Sequence, residues 1–185
     1  SFQNNEFSTV LKAHMTHGFE YSDCWVDDAR LVVFNAIEAA QEGADIQTNC
    51  KVTNIKRDET AWRIALSSGE VVSAKAMINA TGPFANQFIK EVEKSEILRS
   101  LRLVRGSHIV VPKLYDLAQS FILEQDDGRI IFTIPYEKYF TLIGTTEKPH
   151  QGSLANVQIS DDEISYLIEA VNRDFRKTVK RSDIC

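Results

Sequence analysis

Apolar and polar residues alternate along this chain in two rhythms, and the change of rhythm divides it into parts. Between residues 27 and 43 the apolar positions Val33, Ile37 and Ala40 recur at helical spacing. Asp27 or Asp28 can cap that helix at its start, and Gly43 stands just past its end. A period of two then takes over in the stretches 45–55, 61–67 and 70–79. Asp58-Glu59-Thr60 and Ser67-Ser68-Gly69 supply the turns of a three-stranded meander. Pro83 suits the first turn of a second helix, with Phe84, Phe88 and Ile89 as its buried side.

After a charged break at 91–99 the pattern becomes strand-like again. Residues 101–112, 120–124, 129–135 and 139–144 read as four strands of one antiparallel sheet. Asp126-Asp127-Gly128 turns the middle pair, because glycine reaches positive φ at little steric cost. A last helix begins at Ser160, where Glu163 completes a capping box. Its stripe Ile164, Leu167, Ile168, Val171 and Phe175 is expected to pack on the sheet. The pattern predicts an α+β chain in two parts. Residues 1–98 hold a helix, a β-meander and a helix; residues 99–185 hold the antiparallel sheet and its helix.

Composition narrows the classes. The chain has 185 residues, enough for one substantial core or parts of two. Its 43% hydrophobic and 25% charged residues are ordinary for a globular protein. A formal net charge of -5 leaves no dense basic face, so nucleic acid is not an expected partner. Cys24, Cys50 and Cys185 are far apart and form no Cys-x-x-Cys, which favours reduced thiols over disulfides or zinc. His14 and His17 stand three apart without a third ligand nearby, so no metal site is expected. No apolar run reaches membrane-spanning length and no signal peptide opens the chain.

One titratable ring stands out. In Arg105-Gly106-Ser107-His108, the histidine follows a tight Gly-Ser step and precedes the β-branched Ile109, Val110 and Val111. It reads as part of a buried strand. A neutral imidazole there can take a proton near pH 7; the plainer reading is a satisfied core histidine. Arg105 can bind phosphate through its planar fork. Its three-residue offset sets it on the opposite strand face from His108, unless Gly106 bulges the strand. Thr145 and Thr146 end a strand with hydroxyls that either line a pocket or simply terminate it. No Gly-x-Gly-x-x-Gly occurs, so any dinucleotide pyrophosphate would need its main anchor upstream of Ser1.

Four segments taken together carry a family resemblance. They are Ser22-Asp23-Cys24-Trp25-Val26-Asp27-Asp28-Ala29-Arg30, Asn79-Ala80-Thr81-Gly82-Pro83, the run from Leu101 through Arg-Gly-Ser-His to Pro112, and Leu142-Ile143-Gly144-Thr145-Thr146. In these the chain resembles the FAD-linked glycerol-3-phosphate dehydrogenases over nearly its whole length. The resemblance implies an internal piece of a longer flavoenzyme. The first part would belong to a Rossmann-like FAD-binding domain and the second to a substrate-binding cap domain. Glycerol 3-phosphate would be oxidised to dihydroxyacetone phosphate, with hydride passing to FAD and electrons to a quinone. The resemblance implies a cytoplasmic parent, peripheral on the inner face of the cell membrane, and leaves room for a homodimer.

The resemblance also assigns residues. His108 becomes the catalytic base or an orienting group. Arg105, Thr145 and Thr146 become substrate-binding. Val52 offers its backbone to adenine, while Thr81 and Gly82 let backbone approach the flavin or its phosphates. Glu147 stands where the family usually has aspartate, and Tyr136 where it often has tryptophan. Two other readings stay open: a related FAD-dependent amino-acid or hydroxy-acid oxidase, and a non-catalytic binding module. The 185 residues alone are expected to be colourless and inactive.

Overall fold

The computed structural model describes residues 6–94, 96 and 100–185. In chain order the elements are helix α1 (Phe7–Val10), helix α2 (Asp28–Gln41) and strands β1 (Val52–Arg57), β2 (Trp62–Leu66) and β3 (Val71–Ala74). Next come a 3-10 turn (Gly82–Phe84), helix α3 (Ala85–Phe88) and a π-helical segment (Ile89–Glu93). Strands β4 (Val104–Arg105), β5 (His108–Pro112), β6 (Phe121–Glu124), β7 (Ile130–Tyr136), β8 (Phe140–Gly144) and β9 (Lys148–Pro149) follow. Helix α4 (Asp161–Asp174) and a 3-10 turn (Arg181–Asp183) end the chain. Two compact units result. One is Tyr21–Leu101; the other joins Ser1–Glu20 to Arg102–Cys185.

In the unit Tyr21–Leu101, Asp27 caps α2 by accepting a hydrogen bond from the Arg30 amide at 3.0 Å. None of the helix is buried, and Val32, Val33 and Phe34 are more than half exposed. The meander forms as an antiparallel sheet in the order β1-β2-β3. Its outer strands are shorter than the period-two pattern suggests. Asn49 adopts a positive φ of 56°, which ends extension before β1, and the β2–β3 ladder stops at the pair Trp62–Ala74. Asp58 closes the first turn by accepting from the amides of Thr60 and Ala61, which hold its carboxyl down at about 2. The turn after Pro83 differs from expectation too: Phe84 is 45% exposed, and Val92 in the π-helical segment is buried instead, as is Ile55 of β1.

The second unit is built on a four-stranded antiparallel sheet ordered β5-β8-β7-β6. Alternation sends Ile109, Val111, Leu123, Ile131 and Ile143 to one face, where Leu167, Ala170 and Val171 of α4 complete a core. Phe175 is fully buried, stacked on Tyr115 with ring centroids 5.6 Å apart. Ile164 and Ile168 lie at the margin of this core. The N-terminal stretch packs here as well: Leu11 is buried in the same cluster and bridges to Phe175.

The expected single strand 101–112 is two strands. Val104–Arg105 pairs with β9, and His108–Pro112 pairs with β8. The two ladders are one residue out of register. Gly106 and Ser107 separate them on one strand, whereas Thr145, Thr146 and Glu147 separate them on the other. The extra residue is therefore in the partner strand, not at Gly106. Arg105 and His108 keep opposite faces.

Candidate functional site

His108 opens β5 and pairs with Gly144, which pairs in turn with Phe132 of β7. These three residues form one row across the sheet face turned away from α4. The ring is exposed rather than buried, contrary to the sequence expectation. The reason is alternation: the β-branched neighbours Ile109 and Val111 take the core side, so His108 takes the other. It rests on Gly144, where an added β-carbon would stand 2.7 Å from His108 Cγ and 2.9 Å from the Ser107 carbonyl oxygen. That contact removes water from one side of the imidazole, and desolvation lowers its pKa below the usual value. The neutral form, able to accept a proton, is favoured.

The opposite face carries a buried carboxylate. Glu163 is 2% exposed. Its Oε1 accepts from Thr146 Oγ1 at 2.7 Å and from Ser107 Oγ at 3.0 Å. Its Oε2 accepts from the Ser160 amide at 2.9 Å, from Ser160 Oγ at 2.8 Å, and from the Arg105 guanidinium. Burial alone would raise its pKa. The hydrogen bonds from Thr146, Ser160 and Arg105 outweigh burial and bring it to about 2. Thr146 is itself buried, and its hydroxyl also accepts from the Ser107 amide at 3.0 Å.

The predicted substrate residues thus separate. Thr145 is half-buried beside Gly106, where a β-carbon would stand 2.5 Å from Thr145 Oγ1. Thr146 and Arg105 are both engaged by Glu163. Arg105 also borders a surface cavity of about 550 Å³ with His150, Ser153, Asn156 and Gln158, and its Nε is buried without a hydrogen-bond partner. His108 does not line that cavity. Arg129 is paired with Asp127 and lies over the Tyr166 ring at 3.9 Å. His14 lies 3.2 Å from buried Asp174, outside any helix. No metal-binding group of three His, Cys, Asp or Glu side chains occurs among the described residues.

In the other unit, Asn79 organises the turn at Thr81. Its Oδ1 accepts from the Thr81 amide at 3.2 Å and from Thr81 Oγ1 at 2.7 Å. Gly82 then adopts a φ of 55°, and nothing lies within 4 Å of where a β-carbon would be. That conformation suits glycine and leaves the backbone open to a large planar or anionic group. Val52 begins β1, which neighbours only β2 in its sheet, beside a register shift between Val52 and Asn54. One side of its backbone is unpaired within that sheet. Both positions fit secondary contacts to a dinucleotide. The chain itself has no glycine-rich phosphate loop.

Sequence reasoning missed the role of Glu163. Its position three residues after Ser160 signals a helix start, and nothing local signals its three further partners, Arg105, Ser107 and Thr146.

The fold is mixed, helices with antiparallel sheets in both units. Residues 5–183 match the family model described as FAD dependent oxidoreductase, and the chain belongs to that family. It is 45% identical over 181 residues to a glycerol-3-phosphate dehydrogenase from Pseudomonas aeruginosa, covering 96% of this chain and 35% of that protein. It is 41% identical over 181 residues to D-erythritol 1-phosphate dehydrogenase from Brucella abortus, covering 95% of this chain and 36% of the relative. Among solved structures it is similar to the glycerol-3-phosphate dehydrogenase from Bacillus halodurans complexed with FAD, with a TM-score of 0.75 and 27% identity over 85% of this chain and 33% of that one. The chain spans about a third of the length of these relatives.

Proposed function

We propose that the protein to which this chain belongs oxidises sn-glycerol 3-phosphate to dihydroxyacetone phosphate with FAD as the immediate acceptor. One observation carries the reading: a neutral-favouring imidazole, His108, is presented on an open sheet face and seated on a glycine. FAD, when bound, would supply the hydride acceptor for the carbinol carbon. The protein's own task is the other half of the step. His108 takes the hydroxyl proton, or fixes the hydroxyl by a hydrogen bond so that the proton can leave. Thr145, the residue next after the strand end under the ring, supplies a hydroxyl toward the substrate. Arg105, on the opposite face and ion-paired with Glu163, stays outside this step.

Val52, Thr81 and Gly82 form the cofactor contacts in this reading, with the main phosphate anchor supplied by another segment. The unit that joins Ser1–Glu20 to Arg102–Cys185 is the substrate-binding cap, and the unit around the meander is part of the FAD-binding domain. Electrons pass on to a quinone, from a cytoplasmic protein held peripherally at the membrane face, as a homodimer. No helix among the described residues is long and apolar enough to cross a membrane.

The test uses the full-length, flavin-loaded protein and a dye acceptor. Glycerol 3-phosphate is expected to bleach the flavin, and His108→Ala to lower kcat/KM by about 10²-fold. Unchanged turnover in that variant would return His108 to a packing role. Preference for an amino acid or a hydroxy acid would replace the substrate, and preference for erythritol 1-phosphate would lengthen it.

A further inference from the structure

Ser107 and Thr146 stand at the two strand ends that hold the His108 ring. Ser107 immediately precedes His108, and Thr146 follows Gly144 by two residues. They are cross-tied: the Ser107 amide donates to Thr146 Oγ1 at 3.0 Å, and the Thr146 amide donates to the Ser107 carbonyl at 3.2 Å. This is where the ladder slips by one residue, so regular sheet hydrogen bonds do not fix the geometry. Glu163 does so from above. One of its oxygens gathers both hydroxyls, and the other is anchored to the start of α4 and to Arg105.

Building on the role proposed for His108, we infer that Glu163 is a positioning residue for it, clamping the ends of β5 and β8 so that the imidazole stays seated on Gly144. The carboxylate touches neither the ring nor its face of the sheet. It acts through Ser107 and Thr146. A glutamate needed only to cap α4 would require Ser160 alone. Here the same side chain accepts three further hydrogen bonds from residues 56, 17 and 58 positions away in sequence. A buried carboxylate so connected holds its partners in one arrangement, because each one released would leave charge unsatisfied.

The experiment compares Glu163→Gln, Thr146→Val and Thr146→Ser in the full-length, flavin-loaded protein. Diethyl pyrocarbonate labelling across pH, read by mass spectrometry, gives the reactivity and titration midpoint of each histidine. In Glu163→Gln and Thr146→Val, His108 is expected to label about threefold faster or more, with its midpoint rising toward the ordinary value as the ring gains water. His14, tied to the buried Asp174 carboxylate, is expected to keep its rate, which general loosening of the unit would not allow. Thr146→Ser, which restores the hydroxyl, should recover the His108 rate.

In turnover, Glu163→Gln is expected to lower kcat/KM about tenfold, and to add little on top of His108→Ala, since coupled residues are non-additive. Unchanged His108 labelling in both Glu163→Gln and Thr146→Val, or an equal loss of turnover with and without His108, would overturn the inference. Should Glu163→Gln not fold, the Thr146 pair decides alone. If the unaltered protein fails to oxidise glycerol 3-phosphate, the proposed function falls, and the labelling still decides what Glu163 does.

Discussion

The imidazole of His108 lies on the backbone of Gly144, its cross-strand partner, with no room for a β-carbon between them. Glycine is needed at 144 for a steric reason that belongs to the pair and not to a turn. Gly144→Ala must lift the ring and also meets the Ser107 carbonyl, a backbone atom that cannot swing away. A cost of about 1–3 kcal/mol in stability is expected. Loss of the His108 seat should lower turnover at least as much. Chemical unfolding and steady-state kinetics on one preparation check both. A Gly144→Ala protein of ordinary stability and activity would show that the contact is slack.

Gly106 makes a different prediction. Its missing β-carbon would meet Thr145 Oγ1 first, a side-chain atom, and the Thr146 carbonyl oxygen at 3.2 Å next. Gly106→Ala should therefore be harmful alone and largely relieved by Thr145→Ala. A double-mutant cycle on stability measures this, with a coupling of about 0.5–3 kcal/mol expected. Simple additivity would mean that the backbone contact dominates.

Acid stability should depend on Glu163. Its folded pKa is about 2, lowered from 4.5. The stabilisation is present above the unfolded value and is lost as pH falls through the folded one, that is, between about 4.5 and 2. The lowering corresponds to a few kcal/mol, roughly 3, at 1.36 kcal/mol per unit. Circular dichroism of the full-length protein during acid titration should find the transition of Glu163→Gln shallower in that window. An identical acid limb in both proteins would remove Glu163 from the account.

The core makes a plainer prediction. Phe175 is fully buried, stacks on Tyr115, and meets Phe121 edge-on at 5.4 Å. Phe175→Ala should cost about 3–5 kcal/mol, because its neighbours belong to separate elements that cannot close the hole together. Thermal unfolding reads this directly. A loss under 1 kcal/mol would mean that the site collapses around the gap.

Local chemistry was legible wherever a few adjacent residues decide the outcome. Asp27 capping α2, the Asp58 turn, Gly69 at a φ of 90° and the Ser160–Glu163 start of α4 all follow from neighbours in sequence. Alternation announced the four sheet strands, and the helical stripe announced Leu167, Val171 and Phe175 as core. β1 and β3 are shorter than alternation predicts, since a strand stops where its partner stops, and partners are not written locally. The apolar neighbours of His108 predict a buried ring. The same neighbours, taking the core side, expose it.

What the chain determined unaided was the kind and order of its elements, through periodicity and capping that act within a turn or a hairpin. Tertiary structure alone decided which residues meet: the one-residue slip at Thr145–Glu147, the ring of His108 over Gly144, and Glu163 joined to Arg105, Ser107 and Thr146. These contacts join positions from 17 to 58 residues apart. Their geometry is set by strand register and by how α4 lies on the sheet, quantities that no local run of residues encodes.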